Sequence, residues 1–235
     1  MAAADFHVLC AGAVKGLVLA LQEGFERDAG VRLDARFGAV GAMRDELRAG
    51  APCDVFVATE AMVAALEASG GLRPGSGAAI GSVQTAVAVR QGAPTPAIDS
   101  ADALRAALLA AEALYFPDAT RSTAGAHVAA MLDRLGIREA LAPRLRMYAN
   151  GATAMRALAE GSESRALGCT QATEIRYTPG IVLVGALPPP FALATVYSAA
   201  IGAAAHAGAA AERLVDLLAG AASAALRRAG GFDET

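Results

Sequence analysis

The hydrophobic positions of this chain change period repeatedly, and each change marks the border of a predicted element. Asp5 to Cys10 is an apolar run. From Val14 to Ala29 apolar residues return at helical spacing through Leu17, Leu21 and Phe25, until Gly30 supplies a stop. Val31, Leu33, Ala35 and Phe37 alternate with Arg32, Asp34 and Arg36, which predicts a strand with one solvated face. A helix is expected from Ala42 to Ala49, ended by Gly50, then a buried strand from Cys53 to Ala58. Thr59 reads as the N-cap of a helix over Glu60 to Ala68, closed by Gly70-Gly71.

The alternation continues with a strand from Val83 to Arg90 and a helix capped by Asp99-Ser100 that carries Leu104, Leu108 and Ala111. Strands are expected at Leu114 to Phe116, Leu145 to Ala149, Ala166 to Cys169, Ile181 to Leu187 and Leu193 to Ile201. Helices are expected at Ala124 to Leu135, Ala152 to Glu160 and Ala209 to Leu226. Strands alternating with helices over the whole length predict an α/β fold with mainly parallel sheets. In such sheets ligands sit outside the carboxyl ends of the strands, where the topology switches. The turns singled out are therefore Ala11 to Ala13, Gly38 to Gly41, Asp118 to Gly125 and Gly168 to Gln171.

Composition narrows the class. The 235 residues suffice for one large or two small domains. Hydrophobic residues make up 55%, much of it alanine, and the longest apolar run, around Phe191 to Ala205, contains Thr195 and Ser198, so no membrane insertion is expected. A net charge of −3 with no block of Lys and Arg leaves no footprint for nucleic acid. Cys10, Cys53 and Cys169 lack the pairing or spacing of a disulfide framework or zinc site, so reduced thiols and no metal are expected. An apolar run beginning at Asp5 leaves no room for a secretory signal and places the chain as written in the cytoplasm. The alternative is a periplasmic protein whose signal was removed, with Ala2-Ala3-Ala4 as the scar.

Val8-Leu9-Cys10-Ala11-Gly12-Ala13, Phe37-Gly38-Ala39-Val40-Gly41-Ala42 and Gly50-Ala51-Pro52-Cys53-Asp54-Val55-Phe56 follow one another in an order and spacing that resemble the molybdate-binding proteins of ABC transporters. Val83 to Gly92, followed by Ala93-Pro94, is similar to the family's strand into a second lobe, and Val196-Tyr197-Ser198-Ala199 to its returning strand. The resemblance implies a type II periplasmic-binding-protein fold, two α/β lobes closing on a small anion. It divides the chain into residues 1–82 with 198–235 as one lobe and 83–197 as the other. It also implies ligand contacts from the backbone of Gly12 and Ala13, from Val40 and Gly41, and from Tyr197, with an ABC permease as partner if the protein is exported. The family's first two loops each offer a serine hydroxyl to the oxyanion, and those serines align with Ala13 and Val40. Each lost charge-assisted hydrogen bond removes roughly 1.5–3 kcal/mol, about one to two decades of affinity. The implied ligand shifts from molybdate or tungstate toward an organic di- or tricarboxylate.

Pro117-Asp118-Ala119-Thr120-Arg121-Ser122-Thr123-Ala124-Gly125 gathers a guanidinium, hydroxyls and a predicted helix N-terminus, which suits a carboxylate. Arg121, Ser122 and Thr123 are its candidate ligand residues. In the competing account Arg121 pairs with Asp118 or Glu174 on the surface while Ser122 or Thr123 caps a helix. Thr170 and Gln171 are further candidate donors beside Cys169, or an ordinary helix cap. No G-x-S-x-G elbow, P-loop, H-E-x-x-H or dinucleotide fingerprint occurs, and no cofactor is implied. Some proteins of this fold, such as the aconitate isomerases, shift a double bond in a small tricarboxylate, which needs a proton acceptor and a proton donor. Cys10, His127, Cys169, Glu174 and Tyr197 have the chemistry to serve, and the sequence does not choose among them.

Overall fold

A computed structural model describes residues 4–233. The proposed Ala2-Ala3-Ala4 scar falls largely outside the described residues. The chain runs β1 (Ala4–Ala11), α1 (Lys15–Ala29), β2 (Val31–Gly38), α2 (Val40–Arg48), β3 (Val55–Thr59), α3 (Glu60–Ala68), β4 (Ala78–Arg90), α4 (Ala101–Ala110), β5 (Ala113–Pro117) and α5 (Thr123–Arg134). It continues through α6 (Arg138–Leu141), β6 (Leu145–Tyr148), α7 (Gly151–Glu160), β7 (Ala166–Gln171), α8 (Ala172–Tyr177), β8 (Ile181–Ala186), β9 (Ala194–Ile201), α9 (Gly208–Ala219) and α10 (Ala224–Gly230). A short 3-10 turn, Gly12–Val14, joins β1 to α1. Among the described residues no helix is long and apolar enough to cross a membrane.

The chain forms two compact units, Met1–Ser82 with Val196–Thr235, and Val83–Thr195. It therefore passes from the first unit to the second within β4 and returns within β9.

In the first unit the strand order is β2-β1-β3-β9. β1 pairs in parallel with β2 and with β3, and β9 runs antiparallel to β3. β1 and β3 are nearly continuous apolar runs because both faces are covered. Phe6 of β1 meets Phe25 of α1 edge-to-face with ring centroids 5.2 Å apart. In the second unit β5 pairs in parallel with β6 and β7, while β4 runs antiparallel to both β7 and β8. Its core gathers Val87, Leu104, Leu108, Leu114, Phe116 and Leu132. Both units repeat one device: a parallel strand, β1 or β5, with its successor on one side and a later strand on the other, which is a topological switch point.

The elements depart from the sequence reading at particular places. α2 starts at Val40 rather than Ala42, because the extended Ala39 takes the N-cap position without a capping side chain. β4 begins at Ala78, ahead of the expected Val83. Gly168 to Gln171 is no turn: β7 runs to Gln171, buried throughout and paired with β4 along that stretch. The single helix expected over Ala209 to Leu226 is broken at Gly220, whose ψ of 175° leaves the helical range. Arg227 holds the break by donating to the carbonyls of Leu218 (3.1 Å) and Gly220 (2.6 Å) and to Ser223 Oγ (2.6 Å).

Asp54, inside the segment resembling Gly-x-Pro-x-Asp-Val-Phe, is buried and ties three pieces of the first unit together. Its Oδ2 accepts from the His7 backbone N–H at 2.9 Å, and its Oδ1 accepts from those of His206 at 2.9 Å and Ala207 at 3.5 Å, just ahead of α9. A carboxylate there serves both as a strand clamp and as the anion at a helix N-terminus that lacks a cap of its own. Asp54→Ala should lower the unfolding free energy by about 3 kcal/mol, and Asp54→Asn, which keeps one acceptor oxygen, by about half that. Urea denaturation of both variants measures this, and a loss under about 1 kcal/mol for the alanine would show that the clamp carries little stability.

Candidate functional site

Every parallel strand of both units ends on an edge where a helix begins, so the edges are where backbone donors collect. In the first unit β1 leads into the Gly12–Val14 turn and β2 into α2, and neither start has a side-chain cap. Gly12 and Ala13 lie in that turn, and Val40 and Gly41 are the first two residues of α2, with Ala13, Val40 and Gly41 buried. The side chains of Ala13 and Val40 are purely aliphatic, so these starts offer N–H donors in an apolar setting. Because β1 and β2 are adjacent and parallel, with Ala11 opposite Gly38, both starts share one edge.

A cation that sequence reasoning missed belongs to this edge. Lys15 Nζ sits 5.4 Å from the centroid of the Phe37 ring, next to the end of β2. The signal lay in its position, a lysine directly after the first-strand loop. Tyr197 is buried on β9 opposite Thr59, the last residue of β3. The Thr59 hydroxyl accepts from the Met62 N–H at 3.4 Å and caps α3.

The second unit places the Arg121 loop after β5 and Gln171 at the end of β7, on either side of its switch point. Asp118 Oδ1 accepts from the Thr120 N–H at 2.7 Å, the Thr120 hydroxyl at 2.6 Å and the Arg121 N–H at 2.9 Å. The Thr120 hydroxyl first, then these backbone donors and the Arg121 charge, hold the Asp118 carboxyl below its ordinary range. Ser122 Oγ accepts from the Gly125 N–H at 3.3 Å and caps α5. Ser122 thus caps the helix through its oxygen, one of the two roles the sequence left open for it. Thr123 opens α5, and Arg121 is exposed at the tip of the loop. Gly125 is required here, since a Cβ would collide with the carbonyl oxygens of Pro117 and Asp118.

The remaining candidates lie deeper. Thr170 is fully buried and donates its hydroxyl to Glu174 Oε2 at 2.6 Å, so it is no free donor. Glu174 is not a surface partner for Arg121. It is buried beneath the first turn of α7, where it also accepts from the backbone N–H groups of Ala152 and Gln171. A side chain at Gly151 would strike Glu174 Oε2 and Thr170 Oγ1. Burial pushes the Glu174 carboxyl above its ordinary value, outweighing the Thr170 and backbone hydrogen bonds that favour the anion. His127 Nε2 donates to the Phe191 carbonyl at 2.7 Å. Cys10 and Cys169 are buried free thiols; desolvation pushes Cys169 up to about 12 and Cys10 higher still. Burial thus favours the neutral thiol at both. Among the described residues no three His, Cys, Asp or Glu side chains are grouped to hold a metal ion.

The profile of the bacterial extracellular solute-binding proteins matches residues 6–233. The chain belongs to that family. It is 30% identical over 200 residues to an aconitate isomerase from Pseudomonas sp, covering 83% of this chain and 74% of that protein. The periplasmic molybdate-binding protein of Azotobacter vinelandii is similar in fold, with a TM-score of 0.78 at 19% identity over 98% of this chain and 99% of the other. The L-phospholactate-bound PEB3 structure superposes with a TM-score of 0.71 at 11% identity, covering 98% and 100%. The type II periplasmic-binding-protein fold implied by the sequence motifs is thus the fold of this solute-binding protein. The family's extracellular character gives no support to a cytoplasmic placement and agrees with the periplasmic alternative.

The burial of Glu174 predicts a pH-dependent contribution to stability. Its folded-state pKa is raised, so its contribution to stability is fully present below the unfolded carboxyl value of about 4.3 and is lost as pH rises through the folded value. Glu174→Gln does not titrate. The unfolding free energy of the native chain minus that of Glu174→Gln should therefore fall as pH climbs above about 4.3, and a difference that rises or stays flat would contradict the burial account.

Proposed function

We propose that this solute-binding protein captures a small organic carboxylate, a di- or tricarboxylate rather than molybdate or tungstate, in the periplasm and hands it to an ABC permease. The observation that carries the reading is the pair of uncapped helix starts whose flanking side chains, Ala13 and Val40, are buried and lack hydroxyls. A compact tetrahedral dianion needs donors on all sides, and two of its expected hydroxyls are replaced by aliphatic side chains here. A carboxylate with carbon between its charges is better served by N–H groups set in dry surroundings. The candidate ligand residues of the first unit are Gly12, Ala13, Val40, Gly41, Tyr197 and Lys15; the second unit's own candidates are Arg121, Ser122, Thr123 and Gln171. Arg121 is the leading cation, since a guanidinium matches a carboxylate in bidentate fashion. The fold shared with a phospholactate-bound protein supports an organic acid as a ligand class.

Thermal unfolding against a panel of molybdate, tungstate, sulfate, phosphate and small di- and tricarboxylates tests this. A ligand at ~100 times its dissociation constant adds about 2.7 kcal/mol and raises the midpoint visibly. Carboxylates should shift it and the inorganic anions should not. Arg121→Ala should weaken the bound carboxylate by about tenfold or more. A shift with molybdate or tungstate alone would overturn the reading, and unchanged affinity in Arg121→Ala would remove that residue from the site.

A second reading, cofactor-free isomerisation of an unsaturated tricarboxylate, is favoured by the 30% identity to an aconitate isomerase. Such a reaction removes a proton from one carbon and returns one to another, with cationic or N–H groups holding the enolate-like charge. Protonated thiols at Cys10 and Cys169 weaken two of its candidate bases. Proton NMR of cis-aconitate with pure protein decides it: conversion to the trans isomer establishes catalysis, and binding without conversion leaves the capture function alone.

A further inference from the structure

The second unit holds buried polar atoms that its own fold leaves without partners. Thr85 on β4 and Gln171 on β7 are opposite residues of an antiparallel pair, so their side chains share one face of the sheet with Cβ atoms about 5 Å apart. Thr85 is 0% and Gln171 2% exposed. The backbone of Thr85 is fully used: its N–H donates to the Leu193 carbonyl at 2.9 Å, and its carbonyl accepts from the Leu187 N–H at 3.0 Å. Its hydroxyl has no partner. Gln171 Nε2 donates to Thr195 Oγ1 at 3.4 Å, while its Oε1 has none. Thr173, two residues further on in α8, carries a third unpartnered hydroxyl.

Unsatisfied polar atoms at this depth are rare in folded proteins and call for a specific reason. Their position supplies one. Gln171 is the last residue of β7 at the switch point whose other side carries the Arg121 loop.

We infer that Thr85 and Gln171 read a hydroxyl group of the ligand, so that the preferred class is hydroxylated carboxylic acids; this rests on the organic-acid reading above. The chemistry follows from the donor inventory. An amide oxygen only accepts, and a threonine hydroxyl both donates and accepts, so together they complement a group that also does both. An alcohol hydroxyl is such a group. An ionised carboxylate is an acceptor only and meets Gln171 Oε1 unfavourably. The amide oxygen and nitrogen are placed by the hydrogen-bond network, and the exclusion of a carboxylate rests on that placement, whereas a ligand hydroxyl matches either orientation.

Isothermal titration with matched acids tests the inference: malate against succinate, and citrate against propane-1,2,3-tricarboxylate. Each hydroxy acid should bind at least about tenfold tighter than its deoxy partner. In Thr85→Val and Gln171→Met, and most clearly in the double variant, the ratio should fall toward one. Thr85→Val keeps the volume and removes an orphaned hydroxyl, so the ligand-free unfolding midpoint should hold or rise, which separates a lost preference from a folding defect. Equal binding within each pair by the unmodified protein, or a preference that persists in the double variant, overturns the hydroxyl inference and leaves the carboxylate reading standing. If none of the four acids binds while molybdate does, the carboxylate reading fails and takes this inference with it.

Discussion

A parallel strand pair cannot be closed by a tight turn, and the rest of this structure depends on that constraint. Each parallel step needs a crossover, and a helical crossover brings the chain back with its next N-terminus on the edge where the strand ended. In the first unit β1 and β2 therefore deliver the Gly12–Val14 turn and α2 to one edge. In the second unit β5, β6 and β7 do the same with the Arg121 loop, α7 and α8. The antiparallel strands β9 and β4 add no such helix start to these edges. Backbone donors and helix dipoles thus accumulate by topology before any side chain is chosen.

Side chains then decide which of those donors stay available. Thr59, Ser100, Ser122 and Asn150 cap α3, α4, α5 and α7. Glu174 adds a carboxyl under the first turn of α7, where the gain from N–H donors is outweighed by desolvation and the group resists ionisation. Asp54 takes the start of α9. The starts after β1 and β2, like that of α8 after β7, have no side-chain cap, since Ala11 and Ala39 offer none. A native fold tolerates uncapped starts when something else meets them, and an anion is the natural complement.

The sequence exposed the parts of this arrangement that rest on local rules. Thr59, Ser100 and Gly30 announced element borders correctly because a cap or a left-handed glycine acts within one turn. α2 was misplaced for the same reason: rules that look for a capping side chain cannot see a start that lacks one, and this was the start of greatest functional interest. The end of β7 was read as a polar turn because Thr170 and Gln171 look like loop residues. Their burial is imposed by pairing with β4, a contact from far along the chain. Gly220 was passed over because the apolar period continues through Leu214, Leu218 and Ala221, while the break is held by Arg227 reaching back to the last carbonyls of α9. The orphaned Thr85 hydroxyl was invisible, since only packing distinguishes it from an ordinary core residue, whereas Lys15 was marked only by its place directly after the first-strand loop.

Charge and hydroxyl recognition place different demands on a fold, and on the proposed reading they fall on different residues. In that reading charge is met by cations near strand ends: Arg121 at an exposed loop tip, and Lys15 with its ammonium over the Phe37 ring. Such groups attract many anions and discriminate weakly among them, because Coulomb attraction is long-ranged and insensitive to what separates the charges. Discrimination needs groups whose vacancy is costly and whose geometry is fixed. On the inference above, Thr85 and Gln171 meet both conditions, since their backbones are held in adjacent paired strands and their unpartnered atoms are buried. A ligand that lacks the matching group leaves that cost in place, whereas one that carries it removes it. On the proposed reading, selectivity therefore resides less in the cations that sequence inspection finds first than in the buried atoms the fold leaves unpaired.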